Sequence, residues 1–155
     1  MEPTLHPADY ILVFRPPKKI LLGRGLIRRE AIIVFAASIH SGETKHLFVK
    51  RVAAREGDTI RIESGRVLIN NVAQGDVSAI YPNVGARRLD SWPSGRLTSG
   101  GVHIGPGNLF VLGDNRLSST DSRSFGTITA TQVEGIAVLC FHRDRAFSPS
   151  LSRLD

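Results

Sequence analysis

The chain has 155 residues, enough for one domain with a buried core, and its 41% hydrophobic content is ordinary for a globular protein. The net charge is +6, which suits an anionic membrane face, nucleic acid or simply a solvated basic surface. One tryptophan, two tyrosines and seven phenylalanines are too few aromatics for a nucleic-acid platform, and the basic residues (Arg15, Lys18, Lys19, Arg28, Arg29, Arg87 and Arg88 among them) form only short clusters.

Many Val and Ile in short runs, with 15 glycines and 8 prolines, predict β structure with frequent turns. Met1 to Tyr10 lacks the basic start and apolar middle of a signal peptide. Tyr10–Arg15 is a strand closed by Pro16 and Pro17, which open a loop, and Ala31–Ala36 is a strand buried on both faces. His46–Ala54 is a third strand. Glu56-Gly57-Asp58 turns into Thr59–Glu63, and Ser64-Gly65 turns into Arg66–Asn70. Asn70-Asn71 and Gly75 mark the next turns.

Residues 77–101, with Tyr81 and Trp92, read as a long irregular hairpin excursion. The two aromatics suit either a membrane interface or plain hairpin packing. Val102–Ile104 and Asn108–Leu112 return to strand, Gly113–Gly126 is polar and loop-like, and Thr129–Val133 fits one helical turn. Glu134–His142 is the last strand, and 143–155 is a loose polar tail. The expectation is a single all-β domain over 1–155, with short, mostly antiparallel strands. No stretch reaches the roughly 18–20 apolar residues of a membrane span, so the chain alone reads as soluble.

Cys140, the only cysteine, has no intrachain disulfide partner and cannot build a thiolate cage; in AVLCF it reads as a buried, inert thiol. His6, His40, His46, His103 and His142 show no metal-ligand spacing. No metal and no cofactor are expected.

Two features carry chemistry. Lys50 lies inside an apolar strand with Phe48 and Val52 on its face at period two. Desolvation there depresses an amine's pKa and makes it a candidate base. A lysine whose head snorkels to water from a strand edge fits the same pattern. The second feature is Gly113–Arg123, which packs Asp114, Asn115, Arg116, Ser118, Ser119, Asp121, Ser122 and Arg123 behind a strand. It reads either as a self-bonded surface loop or as hydroxyls and carboxylates that orient a base.

Together these segments resemble the type I signal peptidase family. Met1-Glu2-Pro3-Thr4-Leu5 is similar to that family's Ser-Met-x-Pro-Thr-Leu, beginning one residue late. Lys50-Arg51, followed by Gly57-Asp58, is similar to its Lys-Arg strand. Gly113-Asp114-Asn115, Ser119, Asp121-Ser122-Arg123 and Gly126 match its Gly-Asp-Asn loop. Arg29–Phe35 departs from the pattern, with Glu30-Ala31 where Gly-Asp is usual. The matches run in order along nearly the whole chain, with 77–101 the least matched.

The resemblance implies the all-β catalytic core shared with repressor-type self-cleaving peptidases, and a serine endopeptidase that cleaves signal peptides from preproteins after small residues. In it Lys50 is the general base, Ser119 orients Lys50, and Asp121, Arg123, Asp114 and Asn115 support the loop. Met1, Leu5, Phe48 and Val49 line the substrate pockets, and an extended peptide pairs with the Leu47–Lys50 strand edge. The nucleophilic serine would precede Met1, so the chain as given is expected to bind and not cut. Ser118, Ser119 and Ser122 lack an identifiable oxyanion donor. The implied setting is the outer face of a cell membrane, with signal peptides and the membrane surface as partners, and no nucleic acid.

Other readings remain. A conjugation-type processing peptidase shares the dyad. A repressor-type peptidase needs an Ala-Gly or Cys-Gly dipeptide and a DNA-binding domain, and neither is present. A basic β-barrel nucleic-acid binder needs an aromatic stripe, which is not seen.

Overall fold

The computed structural model describes residues 1–23, 25–38, 44–63, 66–73, 101–116, 118–142 and 151–153. The apolar runs become strands β1 (Tyr10–Phe14), β2 (Ile32–Ala37), β3 (His46–Arg55), β4 (Thr59–Glu63), β5 (Arg66–Ile69), β6 (Val72–Ala73), β7 (Val102–His103), β8 (Asn108–Leu112), β9 (Ile128–Thr129), β10 (Val133–Phe141) and β11 (Leu151–Arg153). One sheet runs β1-β10-β2-β3-β8-β9, with β11 also paired to β10; the other runs β6-β5-β4-β7. Every pairing is antiparallel. The expected all-β architecture is therefore what the described residues form.

Strand burial follows from position in the sheet. Edge strand β1 alternates, exposing Tyr10, Leu12 and Phe14, whereas β2 lies between β10 and β3 and buries Ile32, Ile33, Val34 and Phe35 in succession. The long strand β3 serves two cores. Val52 packs with Ile33, Phe35 and Val111, while Ala53 and Ala54 pack with Ile60, Ile69 and Phe110 under the small sheet. The change of core coincides with a register shift between Val52 and Ala54 against β8. A third cluster joins Leu5, Ile32, Ala137 and the free, buried thiol Cys140.

Asn70 and Asn71 take φ of 51° and 65°, which closes the two-residue hairpin between β5 and β6 with both central residues left-handed. The buried carboxylate of Asp58 ties that hairpin to the β3–β4 turn. It accepts from the Arg55 amide at 2.9 Å and from Asn70 Nδ2 at 2.8 Å, and Arg29 stands 3.7 Å away. Glu30, where the resemblance leads one to expect glycine, takes φ 70°, a left-handed conformation that suits glycine better.

Three elements depart from the sequence reading. The loop expected after Pro17 contains helix α1 (Lys18–Gly23), which starts on Pro17 as its carbonyl accepts from Ile20 and Leu21. Six residues are too few for a helical period to show. The supposedly loop-like stretch 113–126 contains a helical turn, α2 (Ser122–Phe125), capped by Asp121. In the tail expected to be loose, Leu151–Arg153 pairs with β10. The turn expected at 129–133 is a 3-10 turn at Ala130–Gln132. Most of the expected excursion 77–101, with Tyr81 and Trp92, lies outside the described residues, as do the turns at 64–65 and 75. No helix among the described residues is long and apolar enough to cross a membrane.

Asp58→Ala leaves Asn70 and the Arg55 amide without a buried acceptor. It should lower unfolding stability by about 1.5–3 kcal/mol, read as a fall in denaturant midpoint at constant slope. A loss below about 0.5 kcal/mol would show that Asp58 does not hold the turns together.

Candidate active site

Lys50 projects from the middle of β3, opposite Ile33 of β2. Phe48 and Val52 sit with it at period two and belong to one apolar cluster, so the amine emerges beside apolar surface. Its Nζ donates to Ser119 Oγ at 2.9 Å. This contact rests on Gly113, at the end of β8. A Cβ at position 113 would lie 2.0 Å from Ser119 Oγ and 3.3 Å from Lys50 Nζ, so any side chain there would displace the serine from the amine.

Asp121 holds Ser119 from behind. It is fully buried and accepts from Arg123 Nε and Nη2, each at 2.7 Å, from the Gly113 amide at 2.9 Å and from the Arg123 amide at 3.2 Å. The Ser119 hydroxyl also bonds to it. With its proton turned to Asp121, Ser119 presents a lone pair to Lys50. Burial pushes the Asp121 carboxyl upward and brings the Arg123 guanidinium down to about 10. The amides of Gly113 and Arg123 and the Ser119 hydroxyl oppose that rise by bonding to the charged carboxylate. Sequence-local chemistry builds the arrangement: Asp121 caps α2, and the first helical turn folds Arg123 back onto its own cap.

Burial lowers the half-buried Lys50 amine from its ordinary 10.5. Asp121 draws it back up, Arg123 pushes it down, and Asp114 draws it up. Desolvation prevails, which is the direction a base working near neutral pH requires.

The neighbouring Arg51 forms a second anchor. Its Nε and Nη2 meet Asp114 Oδ1 and Oδ2 at 2.9 and 2.8 Å, and its Nη1 donates to the Glu30 carbonyl at 2.8 Å. Thr4 Oγ1 donates to the same Asp114 carboxylate. Burial alone would raise Asp114, but the bonds from Arg51 and Thr4 hold its carboxyl below the usual range. Thus residues 1–5, strand β3 and the loop after β8 are joined at one carboxylate.

A groove of about 470 Å³ lies along this junction, lined by Met1, Leu5, Ile11, Val49, Asn115 and Ser118. Three of the four residues expected at the substrate pockets, Met1, Leu5 and Val49, are brought together there. Phe48 is not; it turns into the core and stacks on Phe35 at 5.6 Å. A separate groove of about 400 Å³ beside α1 is lined by none of the site residues. On its other side β3 pairs with β8 only from Arg51 onward, so His46–Lys50 have an edge without a partner strand among the described residues. The sequence reading assigned no role to Thr4 or Arg51, although both stand inside quoted motifs, and it gave Gly113 only as a motif letter.

A family model described as Signal peptidase, peptidase S26 matches residues 1–142. The chain is 36% identical to a Signal peptidase I of Bacillus caldolyticus over 87% of its length and 70% of that protein's. It is 32% identical to a Signal peptidase I of Bacillus amyloliquefaciens over 91% of its length and 70% of that protein's. A solved structure of a signal peptidase I from Enterococcus faecalis V583 is 27% identical, with a TM-score of 0.47, covering 70% of this chain and 94% of that one.

The electrostatics of the site can be tested on the amine itself. Asp114→Asn removes a negative charge that draws the Lys50 pKa up, so the Lys50 titration midpoint, followed by NMR of its side chain, should fall below that of the parent. An unchanged or raised midpoint would contradict this account of the charges around Lys50.

Proposed function

The chain belongs to the signal peptidase family, peptidase S26, and from that premise we propose that Lys50 is the general base of a Ser/Lys endopeptidase that removes signal peptides from exported preproteins. The enzyme class is that of the relatives, a type I signal peptidase-like serine endopeptidase. The observation that carries the site assignment is the contact of the half-buried Lys50 amine with Ser119, seated on Gly113 and backed by Asp121 and Arg123.

In this reading an extended substrate lies along the unpartnered edge of His46–Lys50 and extends the sheet by one strand. Small side chains ahead of the scissile bond enter the groove at Met1, Leu5 and Val49. A serine directly before Met1 supplies the nucleophile. Lys50 takes its hydroxyl proton as the oxygen attacks the scissile carbonyl, then gives that proton to the leaving amine. Ser119 keeps the amine aimed, and Asp121, Arg123, Asp114 and Asn115 hold the loop and the segment after the nucleophile in register. Residues 1–155 on their own bind and do not cut. The reaction belongs at the outer face of a cell membrane, and the apolar side chains of Tyr10, Leu12 and Phe14, exposed together on one face of β1, suit that setting.

Two proteins test the proposal: residues 1–155, and the same chain with serine added before Met1. Each is given a preprotein-like peptide with alanine at the positions before the cut. Only the second should cleave. Equal cleavage by both would locate the nucleophile within residues 1–155 and remove the proposed one. In the serine-bearing chain, Lys50→Met should lower kcat by about 10²–10⁴-fold or more, and retained activity would take Lys50 out of the mechanism.

A further inference from the structure

The ends of β1 and β10 meet at a cluster that the peptidase chemistry does not use. The register pairs Ile11 with Cys140, which brings Asp9, just before β1, against Cys140 and His142 at the end of β10. Asp9 Oδ2 lies 2.9 Å from His142 Nδ1 and 3.6 Å from Cys140 Sγ, and Cys140 Sγ lies 3.8 Å from His142 Nδ1. Cys140 is fully buried, and the side chains of Asp9 and His142 are 5% and 20% exposed. One thiol, one imidazole and one carboxylate therefore point their donor atoms at one spot.

We propose that Asp9, Cys140 and His142 form a zinc-binding site. A tetrahedral Zn²⁺ with ordinary bond lengths to sulfur, nitrogen and oxygen separates its donors by roughly 3.3–3.6 Å. The observed separations lie within about half an ångström of that, so closure needs only small side-chain movements. A thiolate with imidazole and carboxylate is a donor set that favours Zn²⁺ over the hard cations Mg²⁺ and Ca²⁺. Asp9 is oriented from outside the cluster, since its Oδ2 accepts from the His6 amide at 2.8 Å, a support of the kind that holds metal ligands in place. The ring of His6 lies edge-on to that of His142 at a centroid separation of 6.3 Å, and the fourth corner falls to His6 or to solvent. Entry is available from the groove, whose wall includes Glu2, His6 and Asp9.

Binding expels one proton. The Cys140 thiol loses its hydrogen to solvent, the carboxylate and imidazole bind through lone pairs, and His142 carries its remaining proton on Nε2. The bound metal would fasten the segment 1–9, which lines the groove, to the far end of the central strand β10.

The test uses the chain with zinc alone, and with Co²⁺ as a spectroscopic substitute. The parent should retain one equivalent of zinc after dialysis, gain thermal stability with added zinc, and show the near-ultraviolet thiolate-to-cobalt charge-transfer band. Cys140→Ser should abolish that band, and both Cys140→Ser and His142→Ala should weaken zinc binding at least about tenfold and lose the thermal shift. Circular dichroism shows whether each variant is folded. If a variant does not fold, the stoichiometry and the cobalt band of the parent decide the matter. No stoichiometric zinc in the parent, no thiolate band, or parent-like zinc affinity in both folded variants would overturn the proposal. These readouts are independent of peptide cleavage, so they stand or fall apart from the peptidase assignment.

Discussion

The buried pair of Asp121 and Arg123 is the constraint on which the site depends. Taking two charges out of water is costly, and such a pair is a weak source of stability compared with an apolar replacement of the same size. Its value lies in geometry. A carboxylate that accepts from a guanidinium, from two backbone amides and from a serine hydroxyl can occupy only one position. That position sets the Ser119 hydroxyl, and through it the Lys50 amine. The loop could not do this alone, because its backbone lacks the regular bonding of the sheet. It borrows rigidity from β8, whose Val111 amide donates to Ser122 Oγ at 2.9 Å, and from the helical turn that Asp121 caps.

The Arg51–Asp114 pair is more exposed and does different work. It joins three separate stretches of chain by using one bidentate contact and the Thr4 hydroxyl, so the first residues are held relative to the strand that carries Lys50. The two ion pairs divide the site between them. Asp121 with Arg123 backs the serine that the amine contacts, and Asp114 with Arg51 ties Thr4 and the first residues to β3. Gly113 precedes Asp114 in the chain and donates its amide to Asp121, and the absence of a side chain there lets serine and lysine meet.

Much of this was legible in the sequence because strand and turn signals are local. The runs YILVF, IIVFA and NLFVL, and the pair Asn70-Asn71, carry their structure in period and turn chemistry, and the structure follows them closely. Lys50, Ser119, Asp121 and Arg123 were legible only as a set, because each alone reads equally well as an ordinary surface residue. What was missed depends on distance or on brevity. Helix α1 is too short to declare a period, and β11 exists only by pairing with β10. Asp121 as a helix cap was readable from Asp-Ser-Arg-Ser-Phe but was obscured by the polarity around it. Phe48 and Val49 are neighbours in sequence and both were expected at the substrate pockets, yet strand alternation packs the first against the Phe35 cluster and turns the second to the groove. The gathering of Asp9 with Cys140 and His142 needs the register of β1 on β10, which no spacing in the sequence reveals.

The register shift in β3 has a consequence for how the protein can change. Up to Val52 the strand keeps strict two-residue alternation, and beyond the shift it delivers Ala53 and Ala54 to the other core. The face on which the Lys50 amine emerges is thus a matter of parity, counted from this shift. An even change in the length of the segment between Lys50 and the shift would keep the amine on this face but carry it about 7 Å along the strand, out of reach of Ser119. A change by a single residue would turn it toward the layer of Leu5 and Ile32. Substitutions along β3 leave this count intact, whereas an insertion or deletion of any length between Lys50 and the shift parts the amine from Ser119.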